Sequence, residues 1–136
     1  MPGARRKARM LALQALYEAD SAGHKAEQAI VHLLDNAGLS EDNRTFACQL
    51  VNGVIHNREE IDRNIRQFAP AWPLEQIPAV DRNILRLAIF EILFDDEVPV
   101  KVAVNEAVEL AKKFGSDSSP RFVNGVLGSV STLTSR

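Results

Sequence analysis

Apolar residues recur at three- and four-residue spacing along nearly the whole chain, and this constrains the fold more than any other feature. Such spacing lays an apolar stripe along one side of an α-helix. Strand-like alternation lasts only through VPVKVAV at residues 98–104, which runs directly into NEAVELAKKF, a segment of helical period. Pro99 suits the first helical position, so the alternation is read as the start of a helix. The expectation is an all-α fold of about seven helices in two small packed bundles.

The first helix is expected over residues 4–20, with Met10, Leu13, Leu16 and Tyr17 on one flank. A second, over 25–36 between Gly23 and Gly38, turns Ile30, Leu33, Leu34 and Ala37 inward. Ser40 caps a third, reaching residue 57 and burying Phe46, Leu50, Val51 and Val54. A short fourth holds Ile61, Ile65 and Phe68, with Glu59–Arg63 and Asp62–Arg66 as i,i+4 pairs on its wet side. Pro70, Pro73 and Pro78 then interrupt any long helix. Residues 69–78 are therefore read as the joint between an N-terminal half, 1–68, and a C-terminal half, 79–136. The helix over 79–94 is apolar nearly all round (Ile84, Leu85, Leu87, Ile89, Ile92, Leu93), the mark of a buried central element. Another runs over 99–114 and stops at Gly115. The last opens with Ser119 as cap and Pro120 in its first turn, and buries Phe122, Val123, Val126, Leu127 and Val130. The tail, 131–136, is expected to fray.

A chain of 136 residues, 46% of them hydrophobic, suffices for one domain with a sizeable core. The single cysteine, Cys48, excludes an intramolecular disulfide and fits a reducing, cytoplasmic setting. The opening MPGARRKARM is followed by LALQALYEAD, too short and too soon polar for a signal or membrane segment. The expectation is a protein neither secreted nor embedded in a membrane.

Catalytic and metal chemistry find little support. Cys48 and His56 stand eight apart on one helix, and His24 and His32 lack the spacing of tetrahedral zinc sites. A lone helical cysteine is ordinarily a small buried hydrophobe. Asp95, Asp96 and Glu97 read as a solvated loop at a helix end. The stretch GSDSSP lacks the lysine and glycine spacing of a phosphate-binding loop and follows no strand; a helix stop and a helix cap account for it. No catalytic, metal or cofactor site is expected, and the chain is not expected to be an enzyme.

The net charge of −2 conceals an asymmetry. Arg5, Arg6, Lys7 and Arg9 precede the first acid, Glu18, and the remaining twelve bases face eighteen acids. A basic tip on an acidic body suggests a polyanion met at one place. Arginine adds stacking and forked hydrogen bonds to simple charge. Arg6 and Arg9 project into the sector of Leu13 and Leu16, so the basic turn is expected to overhang the bundle rather than enter its core. Tyr17, beside Gln14, offers a ring for base stacking, although boundary packing is the reading its position at the edge of the apolar sector favours. Cations at a helix N-terminus oppose the helix dipole, which favours function over stability as their reason.

Three segments then resemble one family. ARRKARMLALQALYEAD, IPAVDRNILRLAIFEIL and VAVNEAVELAKKFGSDSSPRFVNGVLGSV are similar to the NusB family of bacterial transcription antitermination factors. The likeness covers nearly the whole chain in the same order and is weakest over residues 23–43. It implies a single NusB-like RNA-binding domain that pairs with NusE, a small-subunit ribosomal protein. It also implies binding of the single-stranded boxA element of nascent ribosomal RNA within an RNA polymerase antitermination complex. The RNA side would comprise Arg5, Arg6, Lys7, Arg9, Gln14 and Tyr17, with Asp81, Arg121 and Phe122 alongside. Phe122 also begins the apolar stripe of the last helix, so packing competes with stacking there. Ser118 stands where some relatives carry an acid. NusE would sit on the second half, around residues 81–95 and 100–109. Similar domains occur fused to RNA cytosine methyltransferases, but 136 residues leave no room for a cofactor domain, so a stand-alone factor is expected. A protein-docking module with only non-specific RNA affinity is the competing reading. Apolar faces serve a core or a self-interface equally, so monomer and homodimer both stay open.

Overall fold

The computed structural model describes residues 2–135, and among them there are seven α-helices, two short 3-10 turns and no strand. The chain divides into two compact units, residues 1–56 and 57–136.

The first unit is a three-helix bundle of α1 (Pro2–Ala22), α2 (Ala26–Leu34) and α3 (Glu41–His56), each packed on the other two. Ala8, Ala12 and Ala15 recur along the inner side of α1 and are fully buried. Such small residues let neighbouring helices approach closely, and Leu13 and Leu16 extend the same face. Facing them are Ile30 and Leu34 from α2 and Phe46, Leu50, Val51 and Val54 from α3, all buried. Leu33, expected inside, is half-buried. Gly23 leaves α1 at φ +75°, in the left-handed region that favours glycine, and donates its N–H to the Ala19 carbonyl. Ser40 caps α3 as expected: its Oγ accepts the Asn43 backbone N–H at 3.3 Å.

The second unit holds α4 (Arg58–Phe68), α5 (Ala79–Phe94), α6 (Val100–Phe114) and α7 (Ser119–Val130). Helix α5 is central and packs on α4, α6 and α7. Its all-round apolar pattern is matched by burial of Ile84, Leu85, Leu87, Ile89 and Ile92, whereas Leu93 is half-buried. Two buried polar residues of α5 take part in a network. Arg86 clasps Asp62 of α4 through Nε–Oδ1 at 2.9 Å and Nη2–Oδ2 at 3.2 Å, and donates Nη1 to Asn83 Oδ1 at 3.1 Å.

That clasp corrects two expectations. Asp62 is not on the wet side of its helix; it is buried and turned toward α5, with Arg58 Nε also donating to it at 3.0 Å. And the units part between His56 and Asn57, not at the prolines. Helix α4 buries Ile61 and Ile65 and belongs with α5. The proline-rich stretch is fastened as well: Leu74 and Ile77 are buried, and Arg82 Nη1 donates to the carbonyls of both. Proline interrupts a helix without making the segment a linker.

The tail differs too. Ser131–Leu133 form a 3-10 turn, held by Ser131 Oγ donating to the Leu127 carbonyl at 2.7 Å. Arg136 lies outside the described residues. Among the described residues no helix is long and apolar enough to cross a membrane, and no group of three His, Cys, Asp or Glu is placed to hold a metal ion. Cys48 is a half-buried free thiol on α3.

Candidate nucleic-acid interface

In the first unit the six expected positions lie along α1. At about 100° per residue, Arg6, Lys7, Gln14 and Tyr17 fall within one sector, together with Met10 and Gly3. Arg6, Lys7 and Gln14 are exposed, Tyr17 is 40% exposed and Met10 is half-buried. Cationic heads at one end and a phenol ring three turns on therefore share one open face, which suits a strand laid along the helix.

Arg5 and Arg9 project to the other flank, where the structure departs from the expected overhang. Phe46 of α3 is buried, and its ring receives both guanidiniums, Arg5 at 4.1 Å from the centroid and Arg9 at 5.0 Å. Arg9 is only 5% exposed, and Lys7 Nζ donates to the Ala37 carbonyl at 2.6 Å. The basic turn thus packs on the bundle instead of extending beyond it. An aromatic face carries partial negative charge, so a cation can occupy an apolar sector there without the penalty an aliphatic wall would impose. Arg5 remains exposed while resting on the ring. The sequence marks Phe46 as core, and nothing within α3 alone signals its second role.

In the second unit Asp81, Arg121 and Phe122 gather at the N-terminal ends of α5 and α7. Asp81 is 5% exposed, and its Oδ1 accepts Ser119 Oγ at 2.7 Å. Buried and engaged in this way, Asp81 fixes the start of α7 rather than offering its carboxylate to solvent. Ser119 is therefore not the cap expected of it; Ser118 occupies that position and makes no side-chain cap bond. The Ser119 hydroxyl also accepts the Ser116 N–H at 2.9 Å, closing the loop between α6 and α7. Arg121 is exposed and Phe122 half-buried, one turn from this anchor.

Gly115 makes the loop feasible. A Cβ there would lie 2.5 Å from Ser119 Cβ and Oγ and 2.9 Å from the Ala111 carbonyl oxygen. Gly115→Ala is expected to cost about 1–3 kcal/mol by overpacking, read by urea denaturation. A variant as stable as the parent would show that the loop yields freely.

Comparisons with known proteins agree on one family. The model of the NusB family matches residues 6–132. The transcription antitermination protein NusB of Dehalococcoides mccartyi strain 195 is 56% identical over 131 residues, 96% of this chain and 92% of that protein. The same-named protein of Herpetosiphon aurantiacus is 50% identical over 93% of this chain and 88% of its own length. Among solved structures, T. maritima NusB superposes with a TM-score of 0.90 at 32% identity, covering 97% of this chain and 93% of the other. A crystal structure of antitermination factors NusB and NusE in complex with double-stranded RNA matches with a TM-score of 0.88 at 27% identity, covering 98% of this chain and 100% of that one. The fold, the matched family model and relatives half or more identical over nearly the full chain lead to one conclusion: this protein belongs to the NusB family.

Proposed function

We propose that the chain is a non-catalytic transcription antitermination adaptor that binds RNA together with NusE. The RNA is the single-stranded boxA element of nascent ribosomal transcripts, and the assembly lets RNA polymerase read through terminators. The observation that carries this reading is the open face of α1, where exposed Arg6 and Lys7 lead to exposed Gln14 and Tyr17. Charge of this kind supplies affinity for the RNA backbone, and exposed rings suit unstacked bases, which duplex RNA does not offer. A relative solved with NusE and double-stranded RNA supports RNA and NusE as partners. In this reading Arg5, Arg6 and Lys7 meet phosphates, Tyr17 and Phe122 stack, Gln14 and Arg121 hydrogen-bond, and Asp81 positions α7.

The test is a titration with boxA-like, scrambled and duplex RNA at matched length and salt, with and without NusE. A preference for the boxA-like single strand that NusE strengthens is expected. Equal binding of boxA-like and scrambled RNA would replace this reading with that of a protein-docking module. The engagement of Lys7 and Arg9 with the first unit's own atoms is the observation favouring that second reading.

Phe122 separates packing from stacking. A fully buried phenylalanine costs about 3–5 kcal/mol when truncated. At a half-buried ring the stability loss in Phe122→Ala should be smaller, while RNA affinity falls by about 1–3 kcal/mol. A large drop in melting temperature with unchanged RNA affinity, measured while the variant is folded, would assign Phe122 to the core.

A further inference from the structure

We infer that Phe46 is a positioning residue for RNA recognition, acting through Arg5; this rests on the function proposed above. The ring is 6% exposed and belongs to α3, yet it lies under guanidiniums one helical turn apart on α1. The two differ in what they present. Arg9 is buried and fills the apolar sector beside the ring. Arg5 lies closer to the centroid but remains exposed, so its guanidinium is seated on the ring while open to a ligand.

Stability alone accounts poorly for this arrangement. Two like charges on one ring repel, and both lie in the first turns of a helix whose N-terminal dipole disfavours cations. The first turn of α1 contains no acid. What the second guanidinium adds is a planar fork held in one orientation. A long side chain in solvent loses rotamer freedom when it binds phosphate, and an arginine already seated on an aromatic face loses less. Lys7, whose Nζ is drawn to the Ala37 carbonyl, ties the same turn to the bundle. The ligand chemistry is a phosphate or base edge of single-stranded RNA, met by a fork whose direction Phe46 sets.

The experiment is a double-mutant cycle on the full chain, read by affinity for boxA-like single-stranded RNA at fixed salt and at a temperature where every variant is folded. Phe46→Leu keeps apolar volume and removes the aromatic face; Arg5→Lys keeps charge and removes the planar fork. Each should weaken binding by about three- to tenfold, corresponding to the ordering of one long side chain. The double variant should be little worse than either single one, because both remove the same seated fork. Phe46→Tyr, which keeps the ring, should bind within about twofold of the parent. A merely structural Phe46 would move the melting temperature of Phe46→Leu without this coupling. Losses that simply multiply, or unchanged affinity in Phe46→Leu, overturn the inference. Absence of RNA binding by the parent chain overturns the proposed function itself and this inference with it.

Discussion

Asp62→Ala is expected to remove about 3–5 kcal/mol of stability, the cost of breaking a buried ion pair from one side. Arg86 is 3% exposed and gives Asp62 two hydrogen bonds, at 2.9 and 3.2 Å, the forked geometry that makes arginine–carboxylate pairs strong. Removing the carboxylate leaves a guanidinium in the core with a larger share of its desolvation uncompensated. Arg58 supplies an internal contrast, since it bonds the same carboxylate at 3.0 Å from a side chain 48% exposed. Arg58→Ala should therefore cost only about 0–1 kcal/mol, as exposed i,i+4 pairs do. Replacing both buried partners, Asp62→Leu with Arg86→Met, should recover much of the loss, because buried pairs exchange well for apolar residues of similar volume. Urea denaturation of the parent and these variants decides the matter. Equal losses for Asp62→Ala and Arg58→Ala would mean that the buried clasp contributes no more than a surface pair.

The same clasp shows where sequence reading reaches its limit. The run of α5 from Ala79 to Phe94 is legible because local signals coincide: Pro78 before it, apolar residues all round, and acids after it. Asp62 is misleading because its spacing to Arg66 matches an exposed helix pair, while its partner Arg86 lies 24 positions away. Ser119 likewise carries a cap signal, but its hydroxyl serves Asp81, 38 residues upstream. The proline stretch reads as a joint because nothing local announces that Arg82 closes its carbonyls. At the candidate interface, the period of α1 sets Lys7 and Gln14 away from its buried side, whereas Arg6 and Tyr17 border the apolar sector and are exposed all the same. The inward direction of Arg9 follows from the period too, but its packing there does not, because that depends on which side chain α3 sets opposite. An aliphatic residue at position 46 would have made the expected overhang the better arrangement. Phenylalanine makes the packed one possible.

Replacing Arg5, Arg6 and Lys7 together with glutamine is the second large effect, on RNA binding rather than on stability. These three are exposed, and Arg9 is retained because its burial over Phe46 would confound the result with packing. Among the contacts that the variant gives up are the Lys7 bond to Ala37 and one cation over Phe46. The first is worth about 1 kcal/mol and the second a comparable amount, while glutamine keeps the helix propensity of the bases it replaces. RNA affinity should fall sharply. Its salt dependence should flatten by about 0.7 for each single-strand phosphate left without its cation, or about 2 if all three cations meet one. Lys112→Gln with Lys113→Gln, at the exposed end of α6 in the other unit, controls for net charge. If general charge attracts the RNA, this pair should flatten the slope by its share; if the strand lies along α1, the slope should hardly move. Salt titrations of the parent and both variants against one boxA-like RNA separate these cases. A triple variant with the parent's affinity and slope would sink the assignment, since the three cations would then meet no phosphate and RNA would have to be held elsewhere on the chain.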